Sequence, residues 1–244
     1  AFRLAEDRRI LLPVLTCMDA FIVSHTQTET SLPEQAEVDR FLPDLDLPQR
    51  MHYDEARTLG GLAWPHEGLS MRLEIDEAMS RVPDVYQECR EQFTEIFGRD
   101  PGDMIQTFAT DDAELILVAS GTMATTVREV VRKRRDAGEK VGLVKLKLFR
   151  PFPEAALRVA CQSARRVAVL DRNYAAGAGG VFWQDTKAVF QGHRDDLLIQ
   201  DYLTGLCGGD VTPDVIDEIL ADLSSRSEAG PPVWMGIDSG EEVA

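Results

Sequence analysis

Residues 115–120 read LILVAS, and residues 122–137, after Gly121, read TMATTVREVVRKRRDA. The first is an unbroken apolar run of strand length, the pattern of a strand buried on both faces. The second puts Met123, Val127, Val130 and Val131 on one side of a helix, with Arg128, Arg132, Lys133, Arg134 and Arg135 around the other. The alternation then repeats. A strand at 141–149 (VGLVKLKLF) leads to a helix at 153–164 with Pro153 in its first turn, and a strand at 167–170 closes on Asp171. A glycine-rich loop, a helix at 180–191, a strand at 197–202 and a helix at 212–223 follow, the last with Thr212 as N-cap and Pro213 and Asp214 behind it. Strands alternating with helices over about 120 residues predict right-handed βαβ units and an α/β fold with a doubly wound, mostly parallel sheet.

Upstream the pattern changes. Residues 1–9 read as the tail of a charged helix. Residues 10–17 (ILLPVLTC) predict a strand buried on both faces, with Pro13 arguing against a central place in a sheet. Residues 19–24 (DAFIVS) turn into a second short apolar stretch, and Leu-Pro steps at 32–33, 42–43 and 47–48 predict an extended connector. Residues 50–65 are a linker with a turn signal at Gly60 and Gly61. Residues 69–97 hold Ile75, Ala78, Val82, Val85, Cys89, Phe93 and Phe97 on one helical stripe that ends at Gly98. Pro83 within that stripe predicts a kink or two abutting helices. A strand and a half with a helix tail bury no core alone. Residues 1–50 are therefore expected to end a second α/β domain that begins upstream, 51–100 to connect, and 101–244 to form the parallel-sheet domain. The chain starts without Met and is expected to be a piece of something longer.

The 244 residues carry 26 Lys and Arg against 42 Asp and Glu, a net charge of 26 − 42 = −16. That excess disfavours non-specific nucleic-acid binding, which rests on Lys and Arg against phosphate. No apolar run approaches the ~20 residues of a bilayer span, and residues 1–9 lack the apolar core of a signal peptide. Cys17, Cys89, Cys161 and Cys207 form no C-x-x-C pair, so no local zinc or iron–sulphur ligand set is expected and no metal site is assigned. Free thiols of this kind fit a cytoplasmic protein.

Few residues invite chemistry. Gly121 and Thr122 close a strand and open a helix, where backbone N–H groups hold anions, although every tight βα turn has this form. Gly177, Gly179 and Gly180 fail the full G-x-G-x-x-G spacing, since the last position is Phe182, and the acid, Asp171, precedes them. A bent loop allowing close helix–strand packing is the better reading. Lys145, Lys147 and Arg150 cluster at a strand end, and His25 sits where a strand-end loop would expose it as a general acid or base.

Six stretches in order carry a resemblance: residues 1–26, 34–43 (EQAEVDRFLP), 95–99 (EIFGR), 144–153 (VKLKLFRPFP), 167–173 (VAVLDRN) and 205–213 (GLCGGDVTP). Together they resemble the alpha subunit of pyruvate:ferredoxin oxidoreductase and its 2-oxoacid:ferredoxin oxidoreductase relatives. The resemblance implies oxidative decarboxylation of a 2-oxoacid on thiamine diphosphate with Mg²⁺, electron transfer through [4Fe–4S] clusters to ferredoxin, and acyl transfer to coenzyme A, or the reverse. It implies that residues 1–50 end the pyrimidine-binding thiamine domain and that 101–244 are like the transketolase C-terminal domain. It also implies a dimeric assembly with a thiamine-pyrophosphate-domain beta chain, a gamma chain and a cluster-bearing ferredoxin-like chain. The family's substrate-binding and cofactor-activating residues would lie upstream, so no catalytic residue is carried over. Asp19, Ser24 and His25 are the nearest candidates, because their loop would belong to the cofactor-binding domain. Two alternatives stand beside this: a non-catalytic assembly or regulatory module of the same fold, and the C-terminal domain of another thiamine enzyme.

Overall fold

The computed structural model describes residues 1–48, 50–51, 53–56 and 60–237. His52, the tail beyond residue 237 and part of the expected linker lie outside the described residues. The chain divides into two units, residues 1–103 and 104–244.

The first unit holds α1 (Phe2–Ala5), α2 (Ile22–His25), α3 (Gln35–Phe41) and α4 (Pro65–Phe97). Its described residues contain no strand, which corrects the expectation for residues 10–17. That run is irregular, with Leu11 at φ +47° and Leu15 91% exposed. A strand takes its N–H and C=O partners from a neighbour, and none stands beside it among the described residues. The expected connector also folds locally. Proline restricts only the residue before it, so Pro33 and Pro43 bracket α3 without entering it. The Glu34 N–H donates to Glu37 Oε2 at 3.0 Å, half of a capping box.

α4 is one 33-residue helix through Pro83, not two. Trp64 N–H donates to Glu67 Oε2 at 2.7 Å at its start, and Gly98 at φ +66° donates back to Thr94 O at its end. The buried residues Ala78, Val82, Val85 and Cys89 fall on both sides of Pro83, so one packed face carries the helix past its missing hydrogen bond. Phe41 of α3 meets Phe93 and Phe97 edge-on, at 5.3 and 5.6 Å. Arg9 bridges Asp7 and Glu88 of α4, and Arg81 donates to Arg9 O.

The second unit is a six-stranded sheet: β1 (Ile105–Phe108), β2 (Leu115–Ser120), β3 (Val141–Leu146), β4 (Arg166–Asp171), β5 (Leu198–Leu203) and β6 (Val233–Trp234). The order is β1-β3-β2-β4-β5-β6, antiparallel between β1 and β3 and parallel elsewhere. α5 (Met123–Asp136) and α8 (Pro213–Ser225) cover one face, α6 (Glu154–Ala160) and α7 (Val181–Phe190) the other. Alternation in each strand feeds both layers. Ile116 and Val118 pack with Leu157, Val189 and Phe190, whereas Leu117 and Ala119 pack with Val127, Ile216 and Leu223. The mostly parallel doubly wound sheet read from residues 115–223 is what forms. β1 is an addition, a four-residue edge strand too short and too polar to announce itself. Among the described residues, no helix is long and apolar enough to cross a membrane.

Two predictions follow from the packing. Tyr202 is fully buried, and its hydroxyl donates to Asp222 Oδ2 at 2.6 Å, an oxygen that Arg226 also reaches. Tyr202→Phe is expected to cost about 1.5–3 kcal/mol in urea unfolding, the range for a hydrogen bond to a charged group. In the first unit, Arg9 holds the Asp7 carboxyl down at about 2, below its ordinary value near ~3.9. A depressed acid stabilises fully above its unfolded value, and that support fades as pH falls from about 4 to about 2. In Arg9→Ala, melting temperature should lose the part of its slope across that window that Asp7 supplies.

Candidate functional site

In an open α/β sheet, ligands favour the C-terminal strand ends where successive connections leave to opposite faces. Here β2 leads to α5 on one face, and its neighbour β4 leads to α7 on the other. The crevice between them is flanked by Ser120, Gly121 and Thr122 on one side and by the residues after β4 on the other.

The β4 side is built around the N-terminus of α7. A helix starts with four N–H groups that have no partner within it. All four find side chains here. Gly180 N–H donates to Asp201 Oδ2 at 2.8 Å and Val181 N–H to Asn173 Oδ1 at 2.8 Å. Phe182 N–H donates to Asp171 Oδ1 at 3.1 Å and Trp183 N–H to Asp171 Oδ2 at 2.9 Å. Asn173 Nδ2 also donates to Asp171 Oδ1 at 2.8 Å, which fixes the amide. Asp171 ends β4, Asp201 stands two residues before the end of the adjacent parallel β5, both on the same sheet face, and both are fully buried.

The glycines make this approach possible. A Cβ on Gly180 would lie 2.1 Å from Asp171 Oδ2, and one on Gly179, at φ +91°, would lie 2.8 Å from Asp201 Oδ2. The loop is thus the close helix–strand packing device that its sequence suggests. Asp171 takes up N–H groups that a phosphate would accept at a phosphate-binding loop. Burial pushes the Asp171 carboxyl up to about 6, against the hydrogen bonds from Trp183 and Phe182. Burial also raises Asp201, against the bond from Gly180.

The sequence-derived candidates stand elsewhere. Gly121, at φ +60°, and Thr122 are exposed, and Thr122 is already in the αR region, at φ −71° and ψ −29°. Lys145 is half-buried within β3, and Lys147 is exposed. Arg150 is occupied by Asp185, at 2.9 Å, and by the Phe149 ring, at 3.9 Å. In the first unit, Ser24 Oγ lies 2.7 Å from His25 Nδ1, and the His25 ring stacks on Phe21 at 5.4 Å. Asp19 is partly buried at the turn before α2. Ser24 and His25 are therefore brought together on an exposed helix. Among the described residues, no three His, Cys, Asp or Glu gather as a metal site. Cys17 and Cys207 are exposed while Cys89 and Cys161 are buried, the latter raised to about 12 by burial. Beside the α7 cap lies a pocket of about 420 Å³ lined by Leu203, Thr204, Gly205, Asp210 and Trp234.

Sequence reasoning notes Asp171 before the glycines but does not join it to Asn173 and Asp201. The signal for the cap is the order of the motif: an acid before the glycines folds back to cap the helix they open. Gly180→Ala is expected to lower stability by about 1–3 kcal/mol, the cost of forcing atoms into a packed site. Asp171 titrates in the opposite sense to Asp7. A raised acid penalises the fold once ionised, so stability should fall as pH rises from about 4 to about 6, by up to about 3 kcal/mol, and then level off. Urea midpoints across that window, lost in Asp171→Asn, check it.

Two family descriptions match in chain order. "Pyruvate flavodoxin/ferredoxin oxidoreductase, thiamine diP-bdg" matches residues 1–94, and "Pyruvate:ferredoxin oxidoreductase core domain II" matches residues 113–216. The chain is 34% identical over 242 residues to pyruvate synthase subunit PorA of Methanothermobacter thermautotrophicus, covering 99% of this chain and 61% of that protein. It is 35% identical to the same subunit of Pyrococcus furiosus, covering 97% and 61%. It is 32% identical to ketoisovalerate oxidoreductase subunit VorA of Pyrococcus abyssi, covering 94% and 58%. The chain thus spans about three-fifths of the length of the curated relatives it matches. With both regions in order and relatives aligned along nearly all of its length, the chain belongs to the 2-oxoacid:ferredoxin oxidoreductase alpha-subunit family.

Proposed function

We propose that this chain is part of the alpha subunit of a thiamine-diphosphate-dependent pyruvate:ferredoxin oxidoreductase, acting in the cytoplasm. The observation that carries the reading is the pair of matches in order, with pyruvate synthase subunits as relatives across 97–99% of the chain. The reaction would convert pyruvate and coenzyme A to acetyl-CoA and CO₂ with reduction of ferredoxin, or run in reverse.

The donor chemistry sets this chain's share of the work. A [4Fe–4S] cluster needs four thiolates together, whereas the four cysteines here are split between exposed and buried positions with no metal-binding group among the described residues. The helix start best built for a diphosphate is filled by Asp171. The cysteines of this chain therefore do not fit a cluster, and the start of α7 does not fit a diphosphate. Those groups belong, in this reading, to other parts of the assembly: a thiamine-pyrophosphate-domain beta chain, a gamma chain and a ferredoxin-like chain. The role left to residues 104–237 is that of a rigid scaffold.

Anaerobic purification of the native assembly tests this. Thiamine and iron should co-purify, and pyruvate with coenzyme A should reduce a viologen dye, faster than 2-oxoisovalerate does. An assembly with thiamine but no dye reduction would point to another thiamine enzyme. One with neither would point to the assembly-module alternative.

A further inference from the structure

We propose that the pocket at the C-terminal end of β5 binds a small organic ammonium ion that carries a second polar group. Asp210 pairs with its charge, Trp234 lies against its apolar body, and the Thr204 hydroxyl bonds the second polar group.

The strand ends build the pocket. β6 pairs parallel with β5, setting Trp234 opposite Leu203 at the rim. After β5 the chain turns through Gly205 at φ +70° and Gly208 at φ +86°, and after β6 it turns again at Gly236, at φ +77°. The space enclosed is about 420 Å³, the size of a small-molecule site. Leu203, Leu206, Val215, Met235 and Ile237 give it apolar walls. Such sites take their specificity from a few polar groups set among apolar ones.

Here those groups are unmatched. Thr204 is 2% exposed and lines the pocket, yet its hydroxyl makes no hydrogen bond among the described residues. A buried hydroxyl needs a partner, and this one can be satisfied only from the pocket, by water or by a ligand that displaces it. Asp210 is the charged residue among the described lining residues, and its exposed carboxylate has no hydrogen bond or ion pair among them. Trp234 remains 44% exposed, with Tyr174 packed edge-on against it at 4.8 Å. An acid beside an accessible indole disfavours an anion, leaves a neutral ligand's gain small and favours a cation. Arg172 lies with Val211 on the Cβ side of Gly205 and does not line the pocket. The sequence after Ile237, DSGEEVA, has three acids and no base, so it brings no cation of its own to Asp210.

The test is amide and indole NMR of the full chain, titrated with tyramine, phenethylammonium and hydroxyphenylpropionate. The three share a phenyl body and differ in charge and in the phenol. Tyramine should shift the Trp234 indole N–H and the Gly205 and Gly236 amides saturably, with a dissociation constant of about 1 mM or below. Phenethylammonium should bind about threefold more weakly and the carboxylate at least about tenfold more weakly. Asp210→Asn should remove the preference for the amine over the carboxylate, and Thr204→Val the preference for tyramine over phenethylammonium. A carboxylate that binds as well as the amine, an amine affinity unchanged in Asp210→Asn, or no saturable shift up to about 20 mM would overturn the proposal. If Thr204→Val fails to fold, the ratio of the two amines on the unaltered chain decides the role of that hydroxyl.

Discussion

Four backbone N–H groups at the start of α7 are held by three side chains, and the architecture of the second unit turns on that arrangement. Asp171 comes from the end of β4 and Asp201 from within the neighbouring β5, so the cap joins two strands to the helix that connects them. It fixes where the chain leaves β4 and at what height α7 lies on the sheet. The apolar layer beneath, with Val189 and Phe190 against Val169 and Ile199, depends on that height. The arrangement carries a cost, since two acids must be buried to make it. Gly179 and Gly180 are the covalent condition for it, because a side chain at either would occupy the carboxylate's place.

The same cap explains why a glycine-rich βα loop in this family member is structural. Phosphate-binding loops leave their helix start open to solvent, so that the ligand supplies the negative charge. Here the protein supplies it from within. The helix dipole is spent on the fold, and the loop is unavailable for a diphosphate.

The parallel sheet was legible in the sequence because its signal is strong and local. Runs such as residues 115–120 and the one-sided apolar helix after Thr122 have few other solutions. What failed depended on partners distant in sequence. Residues 10–17 have strand composition, yet a strand exists only as a pair, and no strand lies beside them among the described residues. Pro83 looked like a break because proline removes one hydrogen bond, whereas the buried stripe on both sides of it outweighs that loss. The α7 cap was half legible. Asp171 before the glycines was visible, but Asp201 lies 30 positions further along and joins the cap only through the pairing of β4 with β5. Of the sequence-derived candidates, Ser24 and His25 are in contact, and Gly121 and Thr122 form the exposed turn at the other side of the crevice.

The central claim is that these residues form a scaffold for a thiamine-dependent assembly and do not bind the cofactor by themselves. Calorimetric titration of thiamine diphosphate with Mg²⁺ into the isolated chain, and into the chain recombined with its partner subunits, tests it most directly. The account predicts no measurable heat of binding with the chain alone and saturable binding in the recombined assembly. Saturable binding to the isolated chain, abolished by substitution at Gly121 and Thr122, would contradict it.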